Sequence, residues 1–237
     1  MTLFTRTAGA LVALALALPA AAGTFAEGET TLRDAYGAYR AALFLSNQGK
    51  AAETAQALAK FDAAWGALAT GWRADPPPQY AADAQLGATL DTVAALSAKA
   101  GEAVAAGKLP QAHEVLEEVR GAIAGLHARA GLIGFSDRMN AYHAEMEAVL
   151  SRDYAALGAR AAPTAIGDAA LLSYLAGEIA ANPAPEASAQ GYAELVAGFE
   201  ASVADFVSAA QSGDPAAIAA AQGKLKVPYS KLFAKFG

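Results

Sequence analysis

The sequence predicts an all-α fold, an up-and-down antiparallel helical bundle of about eight helices built from repeated helical hairpins. Three observations predict it. Alanine dominates nearly every segment and β-branched residues are sparse; alanine is the best helix former, and strands favour the residues this chain lacks. The apolar residues Val115, Leu116, Val119, Ile123 and Leu126 fall on one stripe of a 3.6-residue period. Glycine and proline punctuate the chain at helix-length intervals, and no alternating strand pattern of useful length occurs between them.

Each element follows from its breakers. Behind the N-terminal segment a first helix is predicted from Thr30 to Asn47, stopped by Gly49, and a second from Lys50 to Trp72, stopped by Pro76, Pro77 and Pro78. A third spans Ala81 to Ala106, before Gly107. The fourth starts near Pro110, a residue favoured in a first turn, and ends near Gly131. The fifth runs from Ser136, read as an N-cap with Asp137 in the first turn, to Tyr154. A sixth lies between Pro163 and Asn182, a seventh from Ala187 to Ser212, and a last from Pro215 to Phe236, with Pro228 kinking it or ending it. Gly49, Gly107 and Gly213 each join two long helices. At equal distances beyond them stand Phe61, Val119 and Leu225, and one heptad further Leu68, Leu126 and Leu232. The match reads as one hairpin repeated.

The first residues read as a secretory signal peptide. Arg6 precedes an apolar run from Ala8 to Leu18, followed by Pro19 and the small residues Ala20, Ala21 and Ala22. The run is shorter than the roughly 20 apolar residues of a membrane span. Residues 1–22 are therefore assigned to the signal, with cleavage before Gly23 and a periplasmic, secreted product. Residues 23–158 are expected to form a helical bundle, and residues 159–237 a C-terminal helical hairpin region packed on it, the boundary falling between Gly158 and Pro163.

Composition excludes several functions. The chain carries a formal net charge of −6, so it has no electrostatic footprint for nucleic acid or an anionic membrane. It contains no cysteine, which removes disulfides, covalent c-type haem, iron–sulfur clusters and thiolate catalysis. No serine has a defensible His/Asp companion, and no glycine-rich loop follows a strand. The aromatics Tyr36, Tyr39, Phe44, Trp65 and Trp72 sit at helical spacing and read as core, while Glu102, Glu114 and Glu118 read as solvated faces.

Chemistry concentrates on the fourth and fifth helices, which hold all three histidines. His113, Arg120 and His127 lie on one flank of the fourth helix, with Glu117 further round, and Asn140, His143 and Glu147 on the same-handed flank of the fifth. In an antiparallel hairpin these flanks face each other as a polar seam. Three readings compete. In the first, an Arg120–Glu147 pair and half-exposed histidines fix helix register. In the second, the seam binds a transition metal: His143 and Glu147 four residues apart chelate one ion, His127 and Met139 assist, and His113 with Glu117 repeats the spacing. Imidazole with thioether suits copper, and imidazole with carboxylate suits zinc or iron. In the third, non-covalent haem sits between helices on a His and a Met.

As architecture the chain resembles the helical bundles of exported cytochromes, which would imply haem. Its His, Met and Glu content is similar to that of exported iron- and copper-handling bundles such as imelysin-like proteins, whose Gly-x-His-x-x-Glu signature this sequence lacks. The expectation is a non-enzymatic, exported four-helix-bundle type of protein binding a transition metal for delivery, buffering or sensing. The alternative is a periplasmic scaffold that binds a protein partner and no metal.

Overall fold

A computed structural model describes residues 24–237; the signal assigned to residues 1–22 lies outside them. The described chain is overwhelmingly helical and contains no strand. It comprises α1 (Phe25–Asn47), α2 (Ala51–Ala74), α3 (Leu86–Ala105), α4 (Leu109–Arg129), α5 (Phe135–Leu150), a 3-10 segment (Ala155–Arg160), α6 (Ala161–Ala181), α7 (Tyr192–Ser212), α8 (Pro215–Gln222) and α9 (Lys226–Phe236). Among the described residues no helix is long and apolar enough to cross a membrane.

Helix ends depart from the sequence expectation where a polar side chain sets them. Thr24 accepts from the Glu27 N–H at 3.3 Å while Glu27 reaches back to the Thr24 backbone. This capping box starts α1 several residues before Thr30. Helix α5 starts at Phe135 rather than Ser136, because the Asp137 carboxylate takes the Gly134 N–H at 2.7 Å. Its C-terminus is set at Leu150, short of Tyr154, by the Gln222 amide, which donates to the carbonyls of Val149 at 2.7 Å and Arg152 at 2.9 Å. Residues 79–85 turn before α3, which brings Tyr80 into the core with its hydroxyl on Glu29 at 2.7 Å. The expected last helix is two helices. The break falls at residues 223–225, so Pro228 occupies the first turn of α9, where its missing N–H costs nothing.

The three linking glycines take left-handed backbone, with φ of 74° at Gly49, 71° at Gly107 and 70° at Gly213. After α3, the Lys108 N–H reaches the Ala103 carbonyl at 2.8 Å and Gly107 reaches Val104 at 2.9 Å, the paired bonds of a Schellman stop. The residues matched across the three hairpins are all buried: Phe61, Val119 and Leu225, and Leu68, Leu126 and Leu232. A Cβ at Gly107 would meet nothing within 4 Å, so Gly107→Ala isolates backbone strain and should destabilise by about 1–2 kcal/mol. Gly66 is mid-helix with equally open surroundings; Gly66→Ala should stabilise by about 0.5–1 kcal/mol. Urea midpoints of the two variants moving in the same direction would refute this account.

Packing groups the helices in two sets. Helices α1 to α4 close on one another as α1/α2, α2/α3, α3/α4 and α1/α4. Helix α5 packs on α6 and α9, and α7 on α6, α8 and α9; α1 against α9 joins the sets. One continuous apolar core runs through both. Gly158, near the expected boundary, does leave helical geometry (φ 55°), but α5 and α6 on either side of it pack together. The change of packing partners comes instead at the turn between α4 and α5. That turn corrects the expected α4–α5 hairpin: the principal neighbours of α4 are α1 and α3, and those of α5 are α6 and α9. The flanks of α4 and α5 that carry His, Glu and Arg line a cavity.

Candidate functional site

The cavity has a volume of about 380 Å³ and is walled by α1, α4, α5 and α9. Its polar lining comes from His113, Glu117 and Arg120 of α4, His143 and Glu147 of α5, and Lys226 and Tyr229 of α9. Four of the six residues singled out as metal ligands therefore meet here: His113, Glu117, His143 and Glu147.

Their arrangement centres on one carboxylate. His113 Nε2 lies 3.5 Å from Glu117 Oε1, and His143 Nε2 lies 3.7 Å from Glu117 Oε2. Arg120 Nη2 is 3.3 Å from both oxygens. The orientation of His113 comes from α1. Its Nδ1 is 3.0 Å from Ser46 Oγ and 3.2 Å from the Leu43 carbonyl, and Ser46 itself donates to that carbonyl at 2.8 Å. With the Ser46 proton spent, Nδ1 is the donor, which turns Nε2 towards Glu117. His143 stacks on Tyr229 with ring centres 5.4 Å apart. Burial, reinforced by Arg120, Lys226 and His113, pushes its pKa down to about 3. It is a neutral imidazole across the physiological range.

Glu147 stands at the rim with Lys226 at 2.8 Å. The four-residue pair that converges is thus His113 with Glu117, and Glu147 is turned away to a lysine. The Arg120–Glu147 pair of the register reading does not form. Arg120 instead shares Glu117 and lies over the Phe233 ring at 4.8 Å. Its Nε and Nη1, the hydroxyls of Tyr36, Tyr142 and Tyr229, and His143 Nδ1 are buried without hydrogen-bond partners.

His127 and Met139 are elsewhere. Met139 is fully buried in the core. His127 Nδ1 is 2.7 Å from Asp137 and its Nε2 is 3.5 Å from Glu29. Burial disfavours its charge, but the two carboxylates outweigh burial and raise its pKa to about 9. An imidazolium has no lone pair for a metal, so His127 is an electrostatic clamp between α1, α4 and the start of α5. Reasoning from local spacing missed Ser46, Lys226, Tyr229 and Glu29, all of which reach these sites from helices distant in sequence. The capping box at Thr24 was the legible signal that α1 begins early enough to carry Glu29.

Among the described residues no group of three or more His, Cys, Asp or Glu side chains is placed so that it could hold a metal ion. No family model, curated protein or solved structure gives a match to this chain.

Proposed function

We propose that the chain is an exported, periplasmic, non-enzymatic protein that binds a divalent transition metal at His113, Glu117 and His143, for delivery, buffering or sensing. The observation that carries this reading is the approach of two imidazole Nε2 atoms to the two oxygens of one carboxylate. Two imidazoles and one carboxylate brought together on a cavity wall are the donor types that zinc and iron take. His143 is kept neutral, so that ring need not shed a proton at neutral pH before binding. Glu147, freed from Lys226, would be a fourth donor.

Imidazole with carboxylate favours zinc or ferrous iron. The copper reading leaned on Met139, whose thioether is in the core rather than on the cavity wall. The scaffold alternative draws on a different surface: Ile166, Leu171 and Tyr174 of α6 are exposed apolar side chains, a face that would suit a protein partner.

The test is native protein purified from the exported fraction without chelator. Its N-terminus should lie at or near Gly23, elemental analysis should find close to one metal ion per chain, and calorimetric titration of the stripped protein should restore it. If copper, zinc and ferrous iron all bind no better than they do to a variant lacking both His113 and His143, the metal reading fails and the α6 face becomes the place to look.

A further inference from the structure

We infer that a second cavity, at the junction of the two helix sets, binds a small uncharged ligand with an apolar body of roughly six to ten carbons. It shares no residue with the candidate metal site and does not depend on it. The cavity has a volume of about 340 Å³. Its walls come from the start of α1, the turn between α4 and α5, the segment before α7 and the end of α9. Ligand pockets favour such places, between helices and where packed units meet, and begin near this size. An apolar cavity of about 150 Å³ holds benzene, so this one has room for roughly a dozen heavy atoms. A lipid with two acyl chains exceeds it.

The lining decides the chemistry. Phe25, Ile133, Phe135 and Phe236 supply an apolar wall. Two of them also stand out into water: Phe25 is 51% exposed and Ile133 67%. Their backbones are fixed from elsewhere in the chain. The Phe25 carbonyl accepts from the Gln79 amide at 3.3 Å, and the Ile133 carbonyl from Arg138 at 2.7 Å. The turn that carries Ile133 is pinned again by the Gly134 N–H on Asp137. The mouth is thus formed in advance, which lowers the ordering cost of binding, and a ligand seated there removes apolar surface from water. The charged groups on the wall are Glu29, Arg33 and His127. Each already faces an opposite charge. Arg33 Nε stands 3.4 Å from Glu186, and His127 lies between Asp137 at 2.7 Å and Glu29 at 3.5 Å. A charged head group would have to displace one of these partners or go unpaired, and either is costly beside an apolar wall. A neutral head is matched by the lining, to which Thr30 and Ser136 add uncharged polar side chains.

The experiment titrates the native protein, stripped of metal and isotopically labelled for amide NMR, with 1-octanol, octanoate and octylamine at about pH 7. The three share one apolar body and differ in head group. Octanol should move the amides of residues 25–30 and 132–136, and should bind at least about tenfold more tightly than either charged relative. Ile133→Ser and Phe25→Ser change exposed side chains, so the fold should stand. Each should weaken octanol at least about threefold, the worth of roughly one lost methylene contact. Octanoate binding most tightly would overturn the inference by showing that Arg33 reads an acid, and octylamine binding most tightly would overturn it in favour of Glu29 reading a cation. Failure of all three to move these amides, or undiminished octanol binding in both variants, removes the site. Each of these outcomes leaves the metal reading where it stood, since that rests on other residues.

Discussion

Alanine at His143 should lower metal affinity by at least about 100-fold, since even removal of groups behind a ligand costs 10- to 100-fold. The helix itself should survive, because alanine is the best helix former and His143 lies mid-helix in α5. His113→Ala should act as strongly. Ser46→Ala should act more weakly, by leaving the His113 Nδ1 with only the Leu43 carbonyl to orient it. Met139→Leu conserves volume in the core and should leave affinity unchanged, as should changes at His127. Titration calorimetry on this set discriminates sharply: a loss at Met139 or His127 equal to that at His143 would mean that the ligands had been assigned to the wrong residues. The pH dependence carries a second signature. An ordinary histidine ligand competes with protons near pH 6.5, but His143 is held neutral down to about 3. Proton competition at that ring should therefore be negligible at mildly acid pH, and a fall in affinity there must originate in another donor.

The fold class was legible because helical propensity, apolar period and helix-stopping glycines agree in this sequence, and the left-handed φ at Gly49, Gly107 and Gly213 realises the stops that the glycines predict. Individual ends were less legible where a side chain from another element sets them. Gln222 decides where α5 ends from more than seventy positions away. The polar seam shows the same division. Local spacing put His113, Glu117, Arg120, His143 and Glu147 on two flanks of a hairpin; the hairpin does not form, and these residues instead line one cavity. It could not show that α1 and α9 close the cavity, nor that Lys226 would take Glu147. His127 was drawn into the seam because it shares a flank with His113. Asp137, joined by Glu29 from far away in the chain, removes His127 from the metal question by charging it.

That clamp has its own measurable consequence, in stability rather than ligand affinity. His127 faces Asp137 at 2.7 Å and Glu29 at 3.5 Å, with the Tyr80 ring stacked at 6.4 Å. Tyr80 is held protonated by burial and by its bond to Glu29, so the charged members are the imidazolium and the two acids. The folded pKa of His127, about 9, lies above its ordinary 6.5. Its contribution is therefore complete below about pH 6.5 and is lost as pH rises through about 9. Each tenfold gain in proton affinity is worth about 1.4 kcal/mol, so the full contribution is about 3 kcal/mol. Glu29 has the opposite sign: burial would raise its pKa, but His127, Tyr80 and Gln79 together lower it. Its share is present above the ordinary value near 4.5 and fades as pH falls below it. Wild type should accordingly lose about 3 kcal/mol between pH 6 and pH 9.5, while His127→Gln should start lower at pH 6 and change little between the two. Urea unfolding at both pH values gives the numbers, and the difference between the two proteins subtracts the lysines that titrate nearby. Parallel losses in wild type and variant would show that the imidazolium does not bind α1 to the start of α5, and that the shared carboxylates stabilise this corner without it.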